Sequence, residues 1–232
     1  MTFTTDRIGD TSGRDPAASS GGPGLPRRNS TGQILRAAEA VFASSGFGGA
    51  TMAAIADAAS LPKANLHYYF GSKEALYRAV LEDILSTWLA DADVWIVAER
   101  TAREGLEGYI RAKMAWNRSR AEASRIFAGE MLAGGAHIKH FLNVELRAHV
   151  ARMETVFAHW IAAGAMRPIS TQHLLFCIWA MTQSYADFAP QMESVLGRTD
   201  GLEAGDYALG CETILSLVLG GSGAVAAIGT RP

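Results

Sequence analysis

From Ile34 to Leu219 the apolar residues recur three and four positions apart, and no sustained apolar–polar alternation bounded by turn residues interrupts them. A repeat near 3.6 places one stripe of a helix against a core, whereas a strand needs a repeat of two. The chain is therefore expected to be all-α. Ile34, Leu35, Ala38, Val41 and Phe42 form the first stripe, with Asn29, Ser30 or Thr31 as its N-cap and Gly46 at its end. Thr51 can cap a short second helix whose inner face is Met52, Ile55, Ala56 and Ala59. Ser60 and Leu61 leave room for no more than a tight turn before Pro62, which suits the first turn of a third helix running from Lys63 to Phe70, where Gly71 stops it. Two short helices joined in this way form a helix-turn-helix.

Ser72 opens a longer fourth helix with Leu76, Val80, Leu81, Ile84, Leu85 and Trp88 on its apolar side. Five more helical segments are expected: Leu106 to Trp116, Ala121 to Leu132, Phe141 to Ile161, Thr171 to Phe188 and Tyr207 to Leu219. Residues 1–28 are rich in Ser, Gly, Pro and Asp and are expected to be a disordered arm, followed by a helix-turn-helix domain at 29–74, a second helical domain at 75–220 and a flexible tail at 221–232.

Composition narrows the function classes. No apolar run approaches the roughly 18 to 20 residues of a membrane helix, the start has no secretory core, and two cysteines do not make a disulfide framework, so a cytoplasmic protein without membrane contact is expected. A formal net charge of −2 argues against coating nucleic acid by bulk charge. The charge is uneven, however. Between Arg27 and Arg78 there are six Lys/Arg against three Asp/Glu, while residues 79–232 carry thirteen against seventeen. Any nucleic-acid contact must come from the amino-terminal part.

The third helix has the residues for it. Lys63 and Asn65 lie near its beginning, the end that reaches base edges when such a helix enters a major groove, and an Asn can pair bidentately with adenine. His67, Tyr68 and Tyr69 suit phosphate oxygens, or else seal the small domain. Lys73 adds positive charge at the start of the fourth helix, Thr51 stands at the start of the second, and Arg27 and Arg28 on the arm are placed to reach a groove.

Taken together, the first stripe ending in GFGGAT, the M-x-x-I-A-x-A-A segment, L-P-K-x-N-L-x-Y-Y-F and G-S-K-E-A-L-Y resemble the DNA-binding domain of TetR-type one-component regulators. The resemblance implies a homodimer, acting most often as a repressor, that sets two such domains on a palindromic operator and carries a variable carboxy-terminal domain for dimerisation and a small effector. Ser124–Gly135 and Phe176–Ala189 are similar to a narrower group of that family, the pyrimidine-utilisation regulators, which implies uracil or a related pyrimidine as effector. Trp116, Arg120 and Met181 depart from that group, and a different planar effector is the alternative.

The residues support such a pocket directly. Trp179 and Gln183, four apart, share a helix face, so a flat ring can stack on the indole while the amide matches the alternating carbonyl and N–H edge of a pyrimidine. Tyr77, Trp116, Arg125 and Glu130 are further candidates; the competing readings are a core tryptophan and a structural Arg125–Glu130 ion pair. The apolar sides of the last two long helices, with Leu174, Ile178, Met181, Tyr185, Ile214, Leu217 and Val218, are expected to pair with a second copy as a four-helix bundle. His137, His140, Glu145 and His149 lack the spacing of an established metal motif and are expected to be solvated. No nucleophile, dinucleotide or phosphate-loop pattern is present, so neither catalytic residues nor a cofactor are expected.

Overall fold

The structure is a computed structural model that describes residues 25–222, with side chains from 30 to 220. The outer parts of the expected arm and tail lie outside the described residues. Those residues form helices throughout, with no strand: α1 (Leu25–Gly49), α2 (Met52–Ala58), α3 (Lys63–Phe70), α4 (Lys73–Trp95), α5 (Ala102–Ser119), α6 (Ala121–Leu132), α7 (Lys139–Phe141), α8 (Arg147–Ala162), α9 (Thr171–Asp187), α10 (Ala189–Leu196) and α11 (Ala204–Ser222).

Three details differ from the sequence expectation. Helix α1 begins at Leu25 rather than at the Asn29–Thr31 group, so the backbones of Arg27 and Arg28 belong to a helix and not to an arm; it breaks at Gly46, where φ is 64°. The single helix expected from Phe141 to Ile161 is instead α7 and α8 joined by a π-helical turn, Leu142–Leu146. Helix α10, which has no buried residue, is absent from the sequence expectation because none of its side chains forms a core-facing stripe.

Capping explains several boundaries. The Thr51 hydroxyl accepts from the Ala54 N–H at 3.1 Å, and that of Ser72 accepts from Ala75 N–H at 3.1 Å. Thr101 and Glu104 form a reciprocal capping box at the start of α5. Within the helix-turn-helix, Ser60 adopts a left-handed φ of 53°, which lets the chain reverse after α2.

Two cores stack end to end. The first joins Ile34, Ala38 and Phe42 of α1, Ile55 of α2 and Leu66 of α3 to Leu76–Trp88 of α4, and continues into Trp116 of α5 and Ile126 of α6. The second packs the far end of α4 with α5, α8, α9 and α11 around Leu106, Ile110, Phe157, Trp160, Leu175 and Ile178. Helix α4 therefore runs through both, from the helix-turn-helix to the centre of the second domain. Close approach at the lower core needs Gly108, since a Cβ there would overlap the Trp95 ring.

Candidate DNA interface and effector cavity

Helix α3 is anchored by Leu66, which is fully buried, with Tyr69 and Phe70 half-buried beside it. Lys63, Ala64, His67 and Tyr68 face outward along one stripe, and Tyr68 is 74% exposed. This is the face a groove would meet. Asn65 is half-buried at its edge, and Thr51 is exposed at the start of α2 with its hydroxyl engaged as a cap. His67 also has a local duty: its Nδ1 lies 2.9 Å from the Gly71 carbonyl oxygen. Tyr68 and Tyr69 meet edge to face at 5.2 Å.

Lys73 sits differently from what its position suggested. Its Nζ donates to the carbonyls of Phe47 at 2.8 Å and Ala50 at 3.0 Å and lies 4.5 Å from the Phe47 ring centre. Phe47 lies in the last turn of α1 and Ala50 just past its end, where carbonyls lack helical partners, so the ammonium holds α4 to the end of α1. The side chains of Arg27 and Arg28 lie outside the described residues.

The candidate effector residues divide into three groups. Trp179 and Gln183 line a cavity of about 60 Å³ together with Leu85, Trp88 and Leu89 of α4, Tyr109 and Lys113 of α5, Phe127, Leu146 and His149. The indole N–H of Trp179 donates to the Tyr109 hydroxyl at 2.8 Å, which fixes the plane of the ring. Burial drives the Tyr109 hydroxyl well above its ordinary pKa.

Tyr77, Arg125 and Glu130 line a separate cleft of about 420 Å³ between α1, α4 and α6. There the Glu130 carboxylate accepts from the His137 backbone N–H at 2.8 Å and lies 3.0 Å from its Nδ1. Arg125 reaches the Ala186 carbonyl at 3.4 Å and Glu130 meets His137, so the competing reading of an Arg125–Glu130 ion pair does not hold either. Burial and the neighbouring Glu130 carboxylate push the Tyr77 hydroxyl up to about 12. Trp116 lines neither space; it packs edge to face on Trp88 at 5.0 Å, with the Arg120 guanidinium 5.3 Å from its ring.

Two titratable residues of the cavity, Lys113 and His149, are not among the expected ligand-binding residues. Lys113 is only 4% exposed, with Nζ 4.9 Å from the Trp88 ring centre and 5.8 Å from that of Tyr109. Burial pushes it down to about 8, against the longer-range pull of Asp91 and Asp187. A signal existed: Lys113 follows Tyr109 by four residues on the apolar stripe of Leu106 and Ile110. His149, expected to be solvated, is buried at 1% exposure. The π-helical turn shifts the register of α8, and both Leu146 and His149 line the cavity wall. Its Nδ1 lies 3.0 Å from the Arg152 guanidinium, and its Nε2 has no partner.

Residues 34–80 match the family model "Bacterial regulatory proteins, tetR family", and residues 81–225 match "YcdC-like protein, C-terminal region". The chain is 44% identical over 166 residues to the HTH-type transcriptional regulator RutR of Escherichia coli (strain K12), covering 72% of this chain and 78% of that protein. This chain is a TetR-family transcriptional regulator. Its family is not one of enzymes, and the helix-turn-helix implies operator binding. Two solved structures share the fold at lower identity. The transcriptional regulator FadR from Bacillus subtilis, in complex with stearoyl-CoA, superposes with a TM-score of 0.65 at 16% identity, covering 82% of this chain and 97% of that one. The ketosteroid regulator KstR2 of Mycobacterium tuberculosis gives 0.63 at 22%, covering 84% and 95%. No helix among the described residues of this TetR-family chain is long and apolar enough to cross a membrane.

Of the seven apolar residues expected to pair with a second copy, Leu174, Ile178, Ile214 and Val218 are buried within the protomer, and Met181 and Tyr185 are half-buried. Leu217 is exposed, as are Phe176, Phe188 and Leu209, which the sequence reading did not select. Helical periodicity marks a stripe as apolar but not which of two neighbours covers it.

Proposed function

We propose that the chain is a cytoplasmic dimeric repressor that reads a palindromic operator with the outward face of α3 and releases it when a small planar ring of the pyrimidine class enters the cavity beneath Trp179. The carrying observation is that Trp179 and Gln183 line one cavity together with Leu85, Trp88 and Leu89 of α4. The resemblance of Ser124–Gly135 and Phe176–Ala189 to pyrimidine-utilisation regulators points to the same ligand class.

The geometry supplies a mechanical route. At about 60 Å³ the cavity is smaller than the roughly 150 Å³ in which an engineered protein cavity holds benzene, so a six-membered ring has to push its walls apart. Leu85, Trp88 and Leu89 are on the movable side, and α4 begins immediately after α3 and Gly71. A tilt of α4 changes the separation of the two recognition helices, which must match a groove repeat of about 34–36 Å. A release of several tens-fold requires about 2 kcal/mol of differential affinity between the two arrangements. The exposed Phe176 of α9, Phe188 at the joint between α9 and α10, and Leu209 and Leu217 of α11 supply the apolar surface for the second copy.

The test is operator binding by anisotropy with and without uracil, thymine and a panel of nucleobases, beside calorimetric titration of the free protein. Release by a pyrimidine that also gives binding heat supports the reading. Retained operator binding with no heat from any ring removes the pyrimidine class.

A further inference from the structure

The cavity is unusual in the sign of its polar groups. None of its lining residues is acidic, yet it contains a lysine and a histidine that are both almost completely withdrawn from water. Lys113 forms no ion pair among the described residues; its nearest electrostatic company is the faces of Trp88 and Tyr109, with Asp91 and Asp187 acting at longer range. A cation held in apolar walls without a counter-charge is costly, and a ring face offsets only a small part of that cost.

His149 points the same way. A guanidinium has donors and no acceptor, so the 3.0 Å contact from Arg152 is a hydrogen bond only if Nδ1 of His149 accepts. The ring proton is then on Nε2, the atom without a partner. Asp93, 3.4 Å from Nδ1, sits with Arg152 on an outer groove on the other side of the ring. The indole N–H of Trp88, another cavity residue, is also unpartnered. Donors outnumber acceptors, and the one side-chain amide, Gln183, is left to read a mixed edge.

Resting on the reading that this cavity holds the effector, we propose that the effector is an anion: a planar six-membered ring whose ionised oxygen or carboxylate seats against Lys113 Nζ and the Nε2–H of His149, with Trp179 and Gln183 on its face and adjoining edge. A neutral ring of the same outline leaves the lysine charge without a partner. An anionic one supplies the missing counter-charge and takes up the idle imidazole donor in the same step, so selection is by charge as well as by shape.

The experiment is calorimetric titration of the full chain at neutral pH with three rings of similar size: uracil, which is neutral, and barbiturate and uracil-6-carboxylate, which are ionised. Operator release is followed in parallel. The ionised rings are expected to bind at least about tenfold more tightly than uracil, and Lys113→Met, checked for folding by thermal unfolding, is expected to erase that difference by weakening the two anions far more than uracil. The comparison in the unsubstituted chain stands even if the variant does not fold. Equal binding of uracil and both anions, or a preference that survives in Lys113→Met, overturns the inference and leaves the pyrimidine-class reading intact. Absence of binding by all three rings overturns both.

Discussion

Arg120, at the joint between α5 and α6, forms an ion pair with Glu39 of α1. Asp83 of α4 lies 3.7 Å from the same guanidinium nitrogen. One guanidinium is thereby tied to α1 of the first domain and to α4, the helix that runs between the two. The Glu39 and Arg120 side chains are 16% and 30% exposed, which shields the pair from much of the screening that weakens surface bridges. Because α4 also lines the proposed effector cavity, the pair is placed to resist or transmit the tilt proposed for it. Arg120→Ala is expected to cost about 1–3 kcal/mol of stability and to change the effector concentration needed for half-release more than operator affinity without effector. A cycle with Glu39→Ala, followed by anisotropy, checks this; additive effects of the two substitutions would disprove the coupling.

The two lysines that flank the recognition helix should behave in opposite ways. Lys63 is exposed on the outward face of α3, so Lys63→Ala is expected to leave thermal unfolding unchanged and to weaken operator binding by about 1–3 kcal/mol. Lys73 spends its ammonium on the carbonyls of Phe47 and Ala50. Lys73→Met is expected to destabilise the fold by about 2 kcal/mol and to leave the salt dependence of operator binding, read from the slope of log affinity against log salt, unchanged. A reduced slope for Lys73→Met would place it on a phosphate.

Lys113 makes stability depend on pH in a defined direction. In the folded chain burial holds it near 8, whereas the unfolded chain keeps the ordinary value of 10.5. Between these values the unfolded chain binds the extra proton, so stability rises with pH across that window and the burial penalty is fully present below it. The difference amounts to about 3 kcal/mol if all of it reaches the folding equilibrium. Unfolding of the free protein and of Lys113→Met, measured from neutral to alkaline pH, should diverge in this window; parallel curves would show that the lysine titrates normally.

Gly108 has a packing duty that can be tested without ligand or DNA. A methyl group there would run into the Trp95 ring, which is itself held by the Arg100 guanidinium 4.6 Å from its centre. Gly108→Ala would gain helix propensity of about 1 kcal/mol in an open site; here the overlap is expected to produce a net loss of about 1–3 kcal/mol, measured by denaturant unfolding. A more stable variant would mean that the Trp95 ring moves away freely.

Much of the site was legible because it depends on local chemistry. The reversal at Ser60–Leu61, the caps at Thr51 and Ser72 and the outward stripe containing Lys63, His67 and Tyr68 follow from residues a few positions apart. Trp179 and Gln183 were legible as a pair for the same reason, being one helical turn apart on α9. Arg125, Glu130 and Tyr77, the further candidates, line a different cleft, because identity and spacing within one helix carry no information about which helix faces it.

The chain by itself determined the helices, most of their ends and the helix-turn-helix, since hydrophobic period, capping oxygens and glycine stops act over single turns. Tertiary packing alone decided that Lys73 serves α1, that His149 is turned inward by a π-helical register shift, and that Lys113 faces Trp179 across a cavity. The physical reason is range: burial and counter-charge are set by residues distant in sequence, and these decide whether a lysine is a solvated charge, a helix clamp or part of a cavity wall.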